Sequence, residues 1–232
     1  MQGTMWREAF VAVRNDQGQS AVAPLWHAGC VLAMLAMFAG VSAYLRMGSS
    51  HPRVGHLLLY SIAIAFEWAV FAVSLWNSHA VFGCYVARVF GDPRALLLDI
   101  LVALLLCALV FLLGPIMARV LGRTGWVSLE GMRPNNSLEI AAWIVAAISA
   151  GVSEETVFRG YLQQEFTAWT GHASVGILGQ AAIFGLVHEY EGWKNMVLIF
   201  VLGSILGVSA RLRKGLRANM IAHAVMDILS AF

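Results

Sequence analysis

Residues 95–118 read ALLLDILVALLLCALVFLLGPIMA, a nearly unbroken apolar run as long as a lipid bilayer is thick. A helix needs roughly 20 mainly apolar residues to cross the hydrocarbon core, and this stretch supplies them. Comparable runs recur: residues 26–45, closed by Arg46, and residues 55–76, which carry one internal acid, Glu67. A fourth starts near Leu138, where Asn136 or Ser137 can cap it, and three more cover 173–190, 194–210 and 216–231. Residues 77–93, containing HAVFGCYVARVF, suit either a connection or a short extra or re-entrant helix, so seven or eight spans are expected. With 12% charged residues against the roughly 25% of soluble domains, the chain cannot clothe a water-facing surface. Lipid permits helices or closed barrels, and no strand-like alternation or internal repeat is present. The expected fold is therefore all-α, a polytopic transmembrane helical bundle in the cell membrane.

Residues 1–24 read as a polar or interfacial lead, and 25–232 as a single membrane domain. The lead lacks the basic start and apolar core of a cleavable signal peptide, so the first membrane helix is expected to serve as the targeting signal. Residues 5–14 suit a short interfacial helix or an unstructured lead. The densest basic loop, RLRKGLR (Arg211, Arg213, Lys214 and Arg217), is expected in the cytoplasm. Counting back puts the Gly171 turn and the N-terminus on the same side, while Arg119, Arg123 and Arg133 fall on the other. A net charge of +2 gives no reason to expect nucleic acid. Cys30, Cys84 and Cys107 lack metal-site spacing and read as small core residues.

Ionisable side chains inside apolar helices cost roughly 2.5 kcal/mol or more each on insertion, so each is a functional candidate. They gather in the last third of the chain: SEETVFRG with Glu154, Glu155 and Arg159, FGLVH with Phe184 and His188, and HAVMD with His223 and Asp227. Glu155 and Arg159 are four residues apart and share a helix face, which suits a buried ion pair. Glu154 lies about 100° around the helix, without that partner. A carboxylate lacking a cation in a dry site suits a general base. His223 and Asp227 share the same four-residue spacing, so the carboxyl can orient the imidazole. Phe184 precedes His188 by one turn and can wall the pocket. Glu154 and His188 stand 17 residues before and after Gly171, so a hairpin turning there brings them to one depth.

The ordered trio EExxxR, FxxxH and HxxxD resembles the CPBP family, the CAAX proteases and bacteriocin-processing enzymes also called Abi proteins. The likeness covers roughly residues 138–232. It implies an intramembrane endopeptidase acting on a membrane-anchored protein or peptide, with the lipid bilayer as its other partner. Carried over, Glu154 and His188 would position and deprotonate a water, and His223 with Asp227 would stabilise the oxyanion. Glu155 and Arg159 would support them. The family's last position is often asparagine, which can donate to an oxyanion, whereas ionised aspartate repels it. Asp227 is therefore expected to act by holding His223 as a cation. Glu154, His188 and His223 would also make a three-ligand zinc site, so a zinc-assisted mechanism stands beside a metal-free one. A non-catalytic adaptor or immunity protein that keeps the fold is the competing reading, with a proton-coupled transporter behind it.

Other features have plainer readings. Glu67 is expected to be satisfied by packing or to line a cavity. His27, His51, His56, His79 and His172 are expected to meet water or headgroups, and Glu189, Glu191 and Lys194 to be solvated in a loop. Gly203 and Gly207 form a GxxxG pattern that favours close helix packing.

Overall fold

A computed structural model describes residues 23–47, 55–76, 95–122 and 132–232, and among these every regular element is a helix. They are α1 (Leu25–Met47), α2 (His56–Leu75) and α3 (Leu96–Leu121). A long helix follows in three parts: α4 (Ser137–Glu154), a π-helical segment (Glu155–Leu162) and α5 (Gln163–Thr170). Then come α6 (Ala173–Val187), a 3-10 turn (Glu189–Glu191), α7 (Trp193–Arg213) and α8 (Arg217–Ser230).

The helix ends follow local chemistry. Asn136 caps α4, its Oδ1 accepting from the Glu139 amide at 3.0 Å, while Glu139 Oε2 accepts from the Asn135 amide at 2.8 Å. That reciprocal arrangement satisfies amides a helix start leaves unpaired. Gly171 ends α5 in the left-handed region at φ 73°, where a residue without Cβ is strongly favoured, and α6 returns alongside α5.

Among the described residues, five helices are long and apolar enough to cross a membrane: Leu25–Tyr44, His56–Leu75, Leu96–Leu121, Ser137–Thr170 and Trp193–Arg213. The other two expected spans form α6 and α8, which are only 15 and 14 residues long. Helix length thus supports five spans directly, and α8 is too polar and too buried to read as a lipid-facing rod. The alternatives for residues 5–14 and 77–93 lie outside the described residues, as do Cys84, His51 and His79. Leu97, Leu105 and Leu112 on α3 are each more than 65% exposed, an apolar stripe that suits acyl chains and not water.

Small residues set the closest approaches. A Cβ on Gly151 of α4 would lie 2.8 Å from the Met220 carbonyl oxygen and 3.0 Å from the Ala224 amide of α8. On α7, a Cβ at Gly203 would meet Ala181 Cα at 3.2 Å, and one at Gly207 would meet Gln180 Nε2 at 2.8 Å. The GxxxG pattern is therefore a packing seam, as expected. It also bares backbone: Gln180 Nε2 donates to the Gly203 carbonyl at 2.9 Å, and Gln163 Nε2 to that of Gly207 at 3.0 Å.

Several expectations are corrected. His27 is buried, not at a headgroup: its Nε2 donates to the Val73 carbonyl at 2.8 Å, and Nδ1 accepts from Tyr161 Oη at 2.7 Å. It therefore ties α1 to α2 and to the π segment. His56 meets Glu139 Oε2 at 3.0 Å, although His172 does sit exposed at the Gly171 turn. Cys30 is exposed, because it lies on the outer face of α1, whereas Cys107 is buried as expected. Lys194 approaches Gly122 at the end of α3, so its ammonium stands near a helix C-terminus. Asp99, an acid the apolar pattern conceals, receives Arg213 Nη2 at 2.5 Å and Arg217 Nε at 2.6 Å, clamping α3 to the α7–α8 turn.

Gly151→Ala is expected to lower the thermal midpoint by roughly 2–10 °C, the effect of about 1–3 kcal/mol of overpacking against backbone atoms. Gly40→Ala, where nothing lies within 4 Å, should leave it unchanged or raise it slightly. Thermal unfolding of both variants in one detergent checks the pair.

Candidate active site

The EExxxR motif straddles the change from α to π geometry. Glu154 ends α4 and Glu155 opens the π segment, in which the Gln163 amide reaches back five residues to the Phe158 carbonyl. Such widened turns are rare and frequent at functional sites. Here the segment buries both Glu155 and Arg159 completely, and Arg159 Nη1 donates to Glu155 Oε1 at 2.8 Å. The buried ion pair expected from spacing is present.

The partners on other helices were less visible in the sequence. Asn219 on α8, fully buried, donates from Nδ2 to Glu155 Oε2 at 3.1 Å and to the Leu206 carbonyl at 2.7 Å. One turn later, His223 Nδ1 stands 3.0 Å from Glu155 Oε1. Arg159 Nη2 reaches the Gly203 carbonyl at 3.4 Å, and its guanidinium lies 4.4 Å from the Phe184 ring centre. Asn219 stands four residues before His223, so its place on the same face of α8 was a usable signal.

His223 therefore has three carboxyl neighbours. Glu155 faces Nδ1, while Nε2 lies 3.6 Å from Glu154 Oε2 and 3.5 Å from Asp227 Oδ2. The carboxylate nearest this imidazole is Glu155, not the Asp227 that the i,i+4 spacing suggested. Asp227 is partly open, and the Trp143 indole N–H donates to its backbone carbonyl at 3.0 Å.

His188 caps the end of α6. Its Nδ1 donates to the Phe184 carbonyl at 2.7 Å, which leaves Nε2 as an acceptor when the ring is neutral. The Phe184 ring stands edge-on to both imidazoles, with centroid distances of 4.8 Å to His188 and 5.9 Å to His223. It walls the site as expected, and also separates the histidines from one another.

Glu154, His188, His223 and Asp227 line one cavity of about 140 Å³. Glu154 and His188 also border a neighbouring space of about 80 Å³, so the hairpin that turns at Gly171 brings them to shared cavities. On the other side of the imidazoles lies a cavity of about 420 Å³, lined by His188, His223, Asp227 and an apolar wall from α3 that includes Val110, Phe111 and Pro115. Glu67 belongs to both smaller cavities and accepts from Ser149 Oγ at 3.2 Å and Ser153 Oγ at 3.4 Å. The cavity-lining reading of Glu67 holds. Tyr190 lines the same two spaces, and Glu191 lines the two larger cavities instead of standing in a solvated loop.

The zinc reading fits less well. Among the described residues no three His, Cys, Asp or Glu side chains are grouped as metal ligands are. No step below passes through a metal.

Comparison with known proteins agrees with the motif reading. Residues 136–229 match the model of the family described as Rce1-like, Type II CAAX prenyl endopeptidase, which is part of the CPBP family. No curated protein and no solved structure matches the chain.

Arg159→Ala leaves Glu155 buried without its cation and is expected to destabilise the protein by about 3–5 kcal/mol. Arg159→Lys should recover only part of that, because one ammonium cannot serve Glu155 and the Gly203 carbonyl with the geometry of a guanidinium. Denaturation midpoints for the two variants test the ranking.

Proposed function

We propose, from the premise that residues 136–229 carry the Rce1-like segment of the CPBP family, that this integral membrane protein is an intramembrane endopeptidase of the cell membrane. It hydrolyses a peptide bond of a membrane-associated protein or peptide. The observation that carries the reading is the meeting of Glu154, His188, His223 and Asp227 around one small cavity.

In this reading the water sits on the Glu154 side and the substrate on the α3 side, with the two imidazoles between them. The 80 and 140 Å³ spaces are large enough for water and too small for a peptide, whereas the 420 Å³ cavity presents an apolar wall to a peptide segment. His188 Nε2 and Glu154 accept the two protons of the water and aim its lone pair. Attack forms the carbon–oxygen bond as Glu154 takes one proton. The carbonyl oxygen becomes an oxyanion, which imidazolium His223 stabilises through Nε2–H. Collapse breaks the carbon–nitrogen bond, and Glu154 returns its proton to the departing amine.

Glu155 is then a positioning residue. It holds Nδ1 of His223, so that Nε2 faces the reacting atoms, while Arg159 and Asn219 hold Glu155. Asp227 stands beside Nε2 and favours the cationic ring. A membrane-anchored substrate presented from the lipid side is the partner class that the apolar wall suits.

Purified wild type and Glu154→Gln, incubated with candidate membrane proteins, test the proposal by mass spectrometry of the products. Cleavage by wild type should fall roughly 10²–10⁴-fold in the variant while its thermal midpoint is kept. If Glu154→Gln and His188→Ala both retain the biological effect, the protein is an adaptor or immunity factor instead. Asp227→Asn is expected to keep substantial activity and Asp227→Ala to lose most of it. Equal loss in the two folded variants would count against the cation-holding role.

A further inference from the structure

Beyond Glu155 along the same helix lies a separate cavity of about 170 Å³, bordered by Arg159, Gln163, Gln164, Thr167, Arg211 and Lys214. It occupies the end of the bundle where α5 meets the Gly171 turn and α7 meets the basic loop. No carboxylate lines it among the described residues. The four cations of the loop divide into two pairs. Arg213 and Arg217 are bound to Asp99, whereas Arg211 and Lys214 are exposed and have no ion-pair partner among the described residues. Lys214 is held at φ 51°, the left-handed region that non-glycine residues rarely adopt.

Two buried polar atoms of residues lining this cavity lack partners. Arg159 is fully buried with its terminal nitrogens engaged, yet its Nε has no acceptor. Gln163, equally buried, donates to Gly207 but leaves Oε1 without a donor. Buried polar groups are nearly always satisfied, and both of these atoms belong to residues that border the cavity.

We propose that this cavity binds a phosphate group, carried by an anionic lipid headgroup or as free phosphate. A guanidinium and an ammonium bordering one cavity, from Arg211 and Lys214, match phosphate oxygens, and both stand where an apolar helix long enough to cross a membrane ends. Arg159 belongs to this cavity and to the pair with Glu155, so the bound anion touches the network that holds His223. The site does not depend on the endopeptidase reading.

The test is the thermal midpoint of the full chain in neutral detergent, read by tryptophan fluorescence, with phosphatidylglycerol, phosphatidylcholine or inorganic phosphate added. Phosphatidylglycerol well above its Kd should raise the wild-type midpoint by roughly 5 °C or more, with phosphatidylcholine giving much less. The shift should vanish in Arg211→Gln/Lys214→Gln, whose exposed positions leave the fold intact. It should vanish also in Ala210→Leu, which adds bulk at another residue lining the cavity without altering charge. An equal shift with inorganic phosphate assigns the site to the free anion, and a shift with phosphatidylglycerol alone assigns it to the lipid. The proposal is overturned if no addition moves wild type or if both lipids act equally. Retention of the shift in either variant also overturns it.

Discussion

A carboxylate and a guanidinium with no exposed surface, Glu155 and Arg159, set the terms for the rest of this bundle. Moving either ion from water to a low-dielectric interior has an effective cost of several kcal/mol, and attraction between them offsets it only with good geometry and further hydrogen bonds. Further partners come from three other helices: Asn219 and His223 from α8, the Gly203 carbonyl from α7, and the Phe184 ring from α6. Four segments distant in sequence are thereby fixed to one another by polar contacts that lipid cannot replace. The glycines of α7 contribute by leaving the carbonyls uncovered.

This arrangement explains why the imidazoles can be both buried and well oriented. His223 takes its orientation from Glu155, and His188 from a carbonyl of its own helix. Each ring is fixed through Nδ1, which commits Nε2 to the cavities. The packing that hides the ion pair and the geometry that exposes two nitrogens are the same set of contacts. The cavities that share these rings then differ in character: Glu67 and Glu154 border only the smaller, and α3 only the larger.

The apolar runs were legible because lipid imposes length and composition directly on the sequence, and the helix start at Asn136 because a cap is a local device. The i,i+4 pairs were legible for the same reason. What escaped depends on contacts between remote segments. Asp99 hides inside the most hydrophobic helix, and its meaning lies in arginines more than a hundred residues later. His27 looks like a residue at a helix mouth until Tyr161 and Val73 close over it. The closer bond of His223 to Glu155 than to Asp227 follows from how α8 leans on the π segment, which spacing within α8 cannot report. The π geometry itself leaves no evident mark in ETVFRG.

The four-residue spacing of Glu155 and Arg159 also bears on how the nascent chain enters the bilayer. The helix Ser137–Thr170 leaves the ribosome before α8 exists, so Asn219 and His223 cannot yet help it. Opposite charges one turn apart neutralise each other within a single segment, which makes that segment tolerable to the translocation machinery on its own. The imidazole arrives last. Until α8 docks, Glu155 has Arg159 beside it but lacks the Asn219 and His223 contacts that complete its surroundings.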